Sequence, residues 1–348
     1  MSGGGFPRAQ DGFDAAWELF RRPGKGSKGA RQPETRRSGQ SLTSFIATVR
    51  RVVRRAPEVV VRITGGAKGN HHVKEHLAYI TRNGKLEATN ERGEKILGRE
   101  AVRALASEWS DGERPPRRKS AAPDTRNLAL SMPAGHDPEL VLRAARTFAD
   151  KTFGAERRFA LVLHTDQQHP HVHLTLKTRG FDGRNLHPRR ADLQSWREGF
   201  ASELRALGVD AEATPRHARG VVRKAKRQPL VHMERDHASG RKGSRGKARA
   251  PEVQLAKYQE AIRDLTGQDG PKVRPWELWI AERQKAVRRA WLGAAKVLEA
   301  HPLEEARQLA SDIREFVAQM PQVQTERQEV KRMVAAKLRS RERDQGRG

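Results

Sequence analysis

Within this 348-residue chain, the ten-residue stretch His164-Thr165-Asp166-Gln167-Gln168-His169-Pro170-His171-Val172-His173 holds four of the 13 histidines. Such density suits metal binding. Residues two apart on a strand project from one face, so His171 and His173 can offer both imidazoles to one ion, and an antiparallel neighbour can bring His164 beside them. Three imidazoles leave coordination positions open. An open site can take a phosphate oxygen and act as a Lewis acid, whereas a closed structural site cannot. Asp166 is close enough in sequence to accept a hydrogen bond from a ligand imidazole. Spacing alone also allows a second triad, His169, His171 and His173, although Pro170 and the expected loop make His169 the less rigid ligand.

The second chemical candidate is tyrosine, of which the chain has two, Tyr79 and Tyr258. A phenol, with a pKa near about 10, is a useful nucleophile only beside a base or a cation, and a metal-polarised site supplies the latter. Bulk composition suggests the electrophile. Against 42 Asp plus Glu stand 69 Lys plus Arg, a formal charge of +27 and a pI near 11.2, which implies a polyanionic partner, nucleic acid first. The absence of cysteine excludes a disulfide scaffold, a thiolate nucleophile and any Cys-ligated zinc finger. No apolar run approaches the roughly 18 residues of a membrane span and no signal-peptide core follows the Met-Ser-Gly start, so a cytoplasmic protein without membrane insertion is expected.

Local patterns place these residues on elements. Residues 1–57, with 12 Lys plus Arg against 4 acids and only Phe13 to Phe20 hinting at a helix, read as a basic, mostly disordered arm. Val59 to Ile63 is a β-branched run closed by Gly65-Gly66. Asn70 to Thr81, with Val73, Leu77 and Ile80 at helical spacing and Arg82-Asn83-Gly84 as a stop, predicts a helix carrying Tyr79 in its last turn. Asn127 to Met132 reads as a strand. Asp137-Pro138 starts a helix whose stripe is Leu140, Leu142, Ala145 and Phe148. Phe159 to Leu163 and Val172 to Leu176 predict an antiparallel hairpin, and Asp192 to Leu207 another helix. This order describes an α+β domain with an antiparallel sheet over residues 58–215, followed by a basic linker at 216–250 and a helical region at 251–348.

These residues also carry a resemblance. Tyr79-Ile80-Thr81-Arg82-Asn83-Gly84-Lys85-Leu86-Glu87 resembles the nucleophile motif of the P-type conjugative relaxases, the group that includes the border-nicking endonuclease of tumour-inducing plasmids. Ser131-Met132-Pro133-Ala134-Gly135 resembles their second motif, and His164-x-Asp166-x-x-His169-Pro170-His171-x-His173 their third. The resemblance covers residues 58–217, under half of the chain. It implies the histidine-hydrophobe-histidine (HUH) endonuclease fold, a ferredoxin-like antiparallel sheet with flanking helices. It further implies that Tyr79 is the nucleophile, that Asp166 orients a ligand or moves a proton, and that His164, His171 and His173 bind a divalent metal, Mg²⁺ or Mn²⁺, with zinc also compatible with imidazoles. Lys177 departs from the pattern, since relatives commonly carry Asn there.

The implied activity is nicking of one strand at a transfer origin, leaving a 5′ phosphotyrosine. The implied partners are single-stranded origin DNA, a relaxosome accessory protein, and the type IV coupling protein and secretion channel through which the protein passes to the recipient cell. Arg339, Arg341, Arg343 and Arg347 near the C-terminal end are candidates for recognition by that channel. Replication initiators and single-strand transposases of the same superfamily place the nucleophile after the histidine motif, which would make it Tyr258; the order here favours Tyr79. A non-enzymatic basic nucleic-acid-binding protein would explain the charge but not the Tyr79 motif.

Overall fold

A computed structural model describes residues 42–110, 123–216, 218–220, 256, 259–265, 275–321 and 326–345. These fall into two compact units that divide between Thr214 and Pro215. Residues 1–41 of the expected arm, most of the linker and Tyr258 lie outside the described residues.

The first unit contains α1 (Leu42–Val53), β1 (Val60–Gly65), α2 (Gly69–Ile80), β2 (Ala88–Asn90), β3 (Lys95–Ile96), α3 (Arg99–Ser110), β4 (Thr125–Ser131), α4 (Pro138–Ala149), a π-helical turn (Asp150–Gly154), β5 (Phe159–His164), β6 (His171–Lys177) and α5 (Arg190–Ala206). The strands form one sheet in the order β1-β4-β6-β5-β2-β3, with every pair antiparallel. Chain order β4-α4-β5-β6-α5 followed by β1 would be the βαββαβ pattern of a ferredoxin-like fold, and the order β1-β4-β6-β5 is the sheet such a pattern makes. Here the strand that would come last comes first. That permutation puts the helix following β1, which carries Tyr79, inside the domain rather than at its end.

Alternation along the strands sorts the two faces. Leu128, Leu130, Phe159, Leu161, Val172, Leu174 and Leu176 point to one side and bury against Val141, Ala145 and Phe148 of α4 and Trp196, Phe200 and Leu204 of α5. Of the α4 stripe expected, Ala145 and Phe148 are buried and Leu142 packs partly buried on the core, with Val141 and Ala144 buried in addition; its start is as anticipated, since Asp137 caps the Glu139 amide at 2.9 Å and Pro138 follows. On the opposite face, Ala160 and Val162 pack against Val73, Leu77 and Ile80 of α2 and Val102, Leu105 and Trp109 of α3. This second layer covers the β5 end of the sheet, whereas Val60 and Arg62 of β1 are exposed.

The expected arm is corrected at its C-terminal end. Residues 42–53 form a helix in which Phe45, Val49 and Val52 are buried, and Arg51 bonds Glu212 at 2.8 Å, so the domain begins at or before Leu42 rather than at Glu58. Charge counted over the whole segment hid an apolar stripe at four- and three-residue spacing. The β2-β3 pair and α3 were also unforeseen, the strands because three and two residues are too short to show a period.

In the second unit, α6 (Pro275–Glu299) and α7 (Glu304–Ala318) pair as a helical hairpin, with Trp291 edge-on to Phe316 at 5.2 Å; α8 (Glu326–Gln345) follows. Trp291 Nε1 donates to the Ala218 carbonyl at 2.6 Å and Gln284 to that of Gly220 at 2.8 Å. Residues 218–220 thus pack onto this unit and are not free linker, which moves the linker's start beyond Gly220. The helical region itself is as expected. No helix among the described residues is long and apolar enough to cross a membrane.

The reassignment of α1 is testable. Val49→Ala is expected to lower unfolding free energy by about 2 kcal/mol in chemical denaturation, as for a buried aliphatic truncation; a loss under about 0.5 kcal/mol would mean a solvated arm.

Candidate active site

Cross-strand register assembles the histidines. His164 pairs with His171 between β5 and β6, and His173, two residues on, pairs with Val162. Directly opposed residues share a face, so all three imidazoles project on the side that carries α2. Ring centroids are separated by 5.2 Å (His164 to His171), 4.4 Å (His164 to His173) and 5.2 Å (His171 to His173). One nitrogen from each ring lies within 4.8 Å of the other two. The alternative triad is not assembled: His169 is exposed and contributes its carbonyl, which accepts from His171 Nδ1 at 3.1 Å.

Hydrogen bonds select the tautomers. A carbonyl only accepts, so the His164 Nε2 that meets the Ile80 carbonyl at 2.6 Å bears the proton and leaves the Nδ1 lone pair available. By the same argument His171 keeps its lone pair on Nε2. His173 is held neutral as well: burial, and then the neighbouring His164 and His171 imidazoles, push its pKa down to about 4. His164 is lowered chiefly by burial. Imidazole nitrogens that bind a divalent cation bring no charge of their own, so a bound ion would keep its attraction for an anionic oxygen.

Helix α2 carries Tyr79 to this face. Its apolar stripe, Val73, Leu77 and Ile80, buries on the sheet and leaves Tyr79 exposed at 61 %. Helix C-termini have orphan carbonyls. Here the Ile80 carbonyl, next to the tyrosine, is capped by the buried His164 imidazole, so one bond ties the tyrosine's helix to the histidine face. Leaving such a buried carbonyl unpaired costs about 1–3 kcal/mol.

The turn after α2 is locked. Arg82, Asn83 and Gly84 are consecutive left-handed residues, with φ of 51°, 59° and 81°. Thr81 stabilises them by donating its hydroxyl to the Leu77 carbonyl at 2.7 Å and accepting the Gly84 amide at 3.2 Å. Gly84 is required twice over, since a Cβ there would also overlap the Gly98 and Arg99 backbone. The turn folds Arg82 back: its guanidinium lies 5.6 Å from the Tyr79 ring centroid and donates to Asp166 at 2.7 Å.

This changes the reading of Asp166. Its carboxylate is 3.9 Å from His164 Nδ1, beyond hydrogen-bond length, and its close partner is Arg82. The expected bond to a ligand imidazole is made instead by the Ile80 carbonyl. Sequence reading also passed over His76, one turn before Tyr79, whose Nε2 meets Thr175 Oγ1 at 3.1 Å on the β6 face that bears His173. The signal was present in the three-residue spacing of His76 and Tyr79. Ser131 of the second motif ends β4 directly opposite His171, and Lys177 shares the histidine face two pleats beyond His173.

Two outcomes follow from this geometry. Gly84→Ala is expected to cost about 2 kcal/mol or more in denaturant melts, through the strained φ and the overlap together. Between pH 6.5 and about 4 the metal-free protein is expected to lose stability as pH falls, because the unfolded chain protonates His173 where the folded chain does not. Thermal melts across that range test the sign, and His173→Asn should flatten the slope; an unchanged slope would refute a neutral, buried imidazole.

Residues 79–205 match the family described as the MobA/VirD2-like relaxase nuclease domain. The T-DNA border endonuclease VirD2 of Rhizobium radiobacter is 26% identical over 205 residues, covering 51% of this chain and 45% of that protein. Its counterpart in Rhizobium rhizogenes is 25% identical over 184 residues, 47% of this chain and 42% of the other. The chain thus spans less than half the length of these curated relatives. A solved structure described as the molecular basis of vancomycin resistance transfer in Staphylococcus aureus aligns with 45% of this chain and 99% of its own, at 16% identity and a TM-score of 0.32, too low to bear on the fold. Motifs, histidine face and family match agree: residues 79–205 resemble the MobA/VirD2-like relaxase nuclease domain, and about half of the chain is similar to the VirD2 border endonucleases.

Proposed function

We propose that this chain is a DNA strand transferase that nicks one strand at a transfer origin through Tyr79 and so initiates conjugative DNA transfer. The observation that carries the reading is the bond from His164 to the Ile80 carbonyl, which ties the helix of an exposed tyrosine to a face of three imidazoles. A basic chain supplies the attraction for a polyanion.

His164, His171 and His173 would hold the ion, Mg²⁺ or Mn²⁺ by resemblance, and when bound it would act as a Lewis acid toward a non-bridging phosphate oxygen. The exposed Tyr79 phenol gives its proton to solvent and its oxygen attacks phosphorus. The new bond is Tyr79 O–P, the bond broken is P–O3′, and the departing 3′ oxygen takes a proton to become a hydroxyl. One phosphodiester replaces another, so the step is reversible and the strand can be rejoined. Single-stranded origin DNA, a relaxosome accessory protein and a type IV coupling protein and channel are the proposed partners, and the cytoplasm the proposed starting compartment.

The test uses labelled single-stranded oligonucleotides tiled across the non-coding DNA that flanks the coding region, resolved on denaturing gels. At least one oligonucleotide should give a covalent adduct that chelator prevents, that Tyr79→Phe abolishes and that Tyr258→Phe retains. His171→Ala and His173→Ala should each weaken metal binding roughly tenfold or more, and His169→Ala little. An adduct with Tyr79→Phe, or equal losses at all three histidines, would refute the corresponding assignment.

A further inference from the structure

We infer that Arg82 is the protein's own phosphodiester-binding group at the nucleophile, and that Asp166 is a positioning residue that holds it ready. The inference rests on the relaxase reading and deepens it. Arg82 is three residues after Tyr79 and would leave the tyrosine's face if the helix simply continued into an extended chain. Its left-handed φ of 51°, followed by 59° at Asn83, instead turns the side chain back over the phenol ring. A left-handed arginine and asparagine in sequence is an unfavourable conformation, and it persists because Thr81 bonds both ends of the turn and the Gly98 amide donates to the Gly84 carbonyl. The fold maintains a strained turn whose result is a guanidinium beside the tyrosine.

The same guanidinium meets Asp166 at 2.7 Å, at the tip of the loop that joins the two histidine strands. Both partners are about half exposed, 41% and 51% at the side chain, so the pair is weak and exchangeable. One nitrogen, Nη2, meets the carboxylate, whereas a guanidinium presents five N–H donors in a planar fork suited to two oxygens of a phosphate. Arg82 therefore joins the nucleophile's turn to the histidine loop and offers an anion site between them. In the transesterification it would contact the non-bridging oxygens from the tyrosine's side, and charge on those oxygens grows as the Tyr79 oxygen approaches. Asp166 touches no reacting atom in this scheme.

The experiment uses the full chain and the oligonucleotide that forms the Tyr79 adduct, and measures adduct formation at saturating DNA separately from the oligonucleotide dissociation constant. Arg82→Ala is expected to slow adduct formation roughly a hundredfold or more with less than about threefold change in binding and an unshifted melting temperature. Arg82→Lys, which keeps charge without the fork, should recover part of the rate, and added guanidinium ion should partly rescue Arg82→Ala. Asp166→Asn should lose about tenfold or less. If no oligonucleotide gives an adduct with the wild-type chain, the relaxase reading fails. If the wild type reacts and Arg82→Ala reacts equally, or shows its defect in binding alone, or is relieved neither by lysine nor by guanidinium, the assignment of Arg82 is overturned.

Discussion

A single buried hydrogen bond, from the His164 imidazole to the carbonyl of Ile80, sets the relation between the two chemical halves of this domain. It does three things with one proton. It satisfies a helix-terminal carbonyl that would otherwise be orphaned beneath α2, it fixes the tautomer that leaves the other His164 nitrogen available, and it anchors the residue next to Tyr79. Because both partners are buried, the bond cannot be exchanged for water without cost, so helix and histidine face move together.

The sheet makes that arrangement possible by covering its faces unequally. On one side α4 and α5 seal a continuous aliphatic and aromatic core. On the other, α2 and α3 cover the β5 end and leave exposed Arg62, which lies across Ala129 from His173, and Val60, which lies across Ser131 from His171. Partial burial on this face lowers the imidazole pKa values of His164 and His173.

The second unit follows different physics. Its hairpin is closed by Trp291 and Phe316 and by side-chain bonds to the backbone of residues 218 and 220, and among its described residues there is no cluster of metal-ligating side chains. The family match ends at residue 205, before this unit begins. Its cation-rich α8 is the part of the described chain to which the proposed secretion role of Arg339, Arg341 and Arg343 belongs; Arg347 lies outside the described residues.

What the sequence by itself determined is local. Short apolar runs specified β4, β5 and β6, the Asp137-Pro138 cap specified the start of α4, and the two-residue spacing of His171 and His173 specified a shared face. The Tyr79 motif was legible because the chain has only two tyrosines, and the histidine motif because four of the 13 histidines fall within ten residues. Tertiary structure decided what depends on partners distant in sequence. Cross-strand register chose His164 over His169. A backbone carbonyl, which has no signature in any one-letter code, took the role expected of Asp166, while a left-handed turn delivered Arg82 to that carboxylate instead. Helix α1 was hidden because the basic charge of the whole segment obscured a short apolar stripe. Register, caps and burial are relations between segments, and a pattern read along one segment holds only half of each.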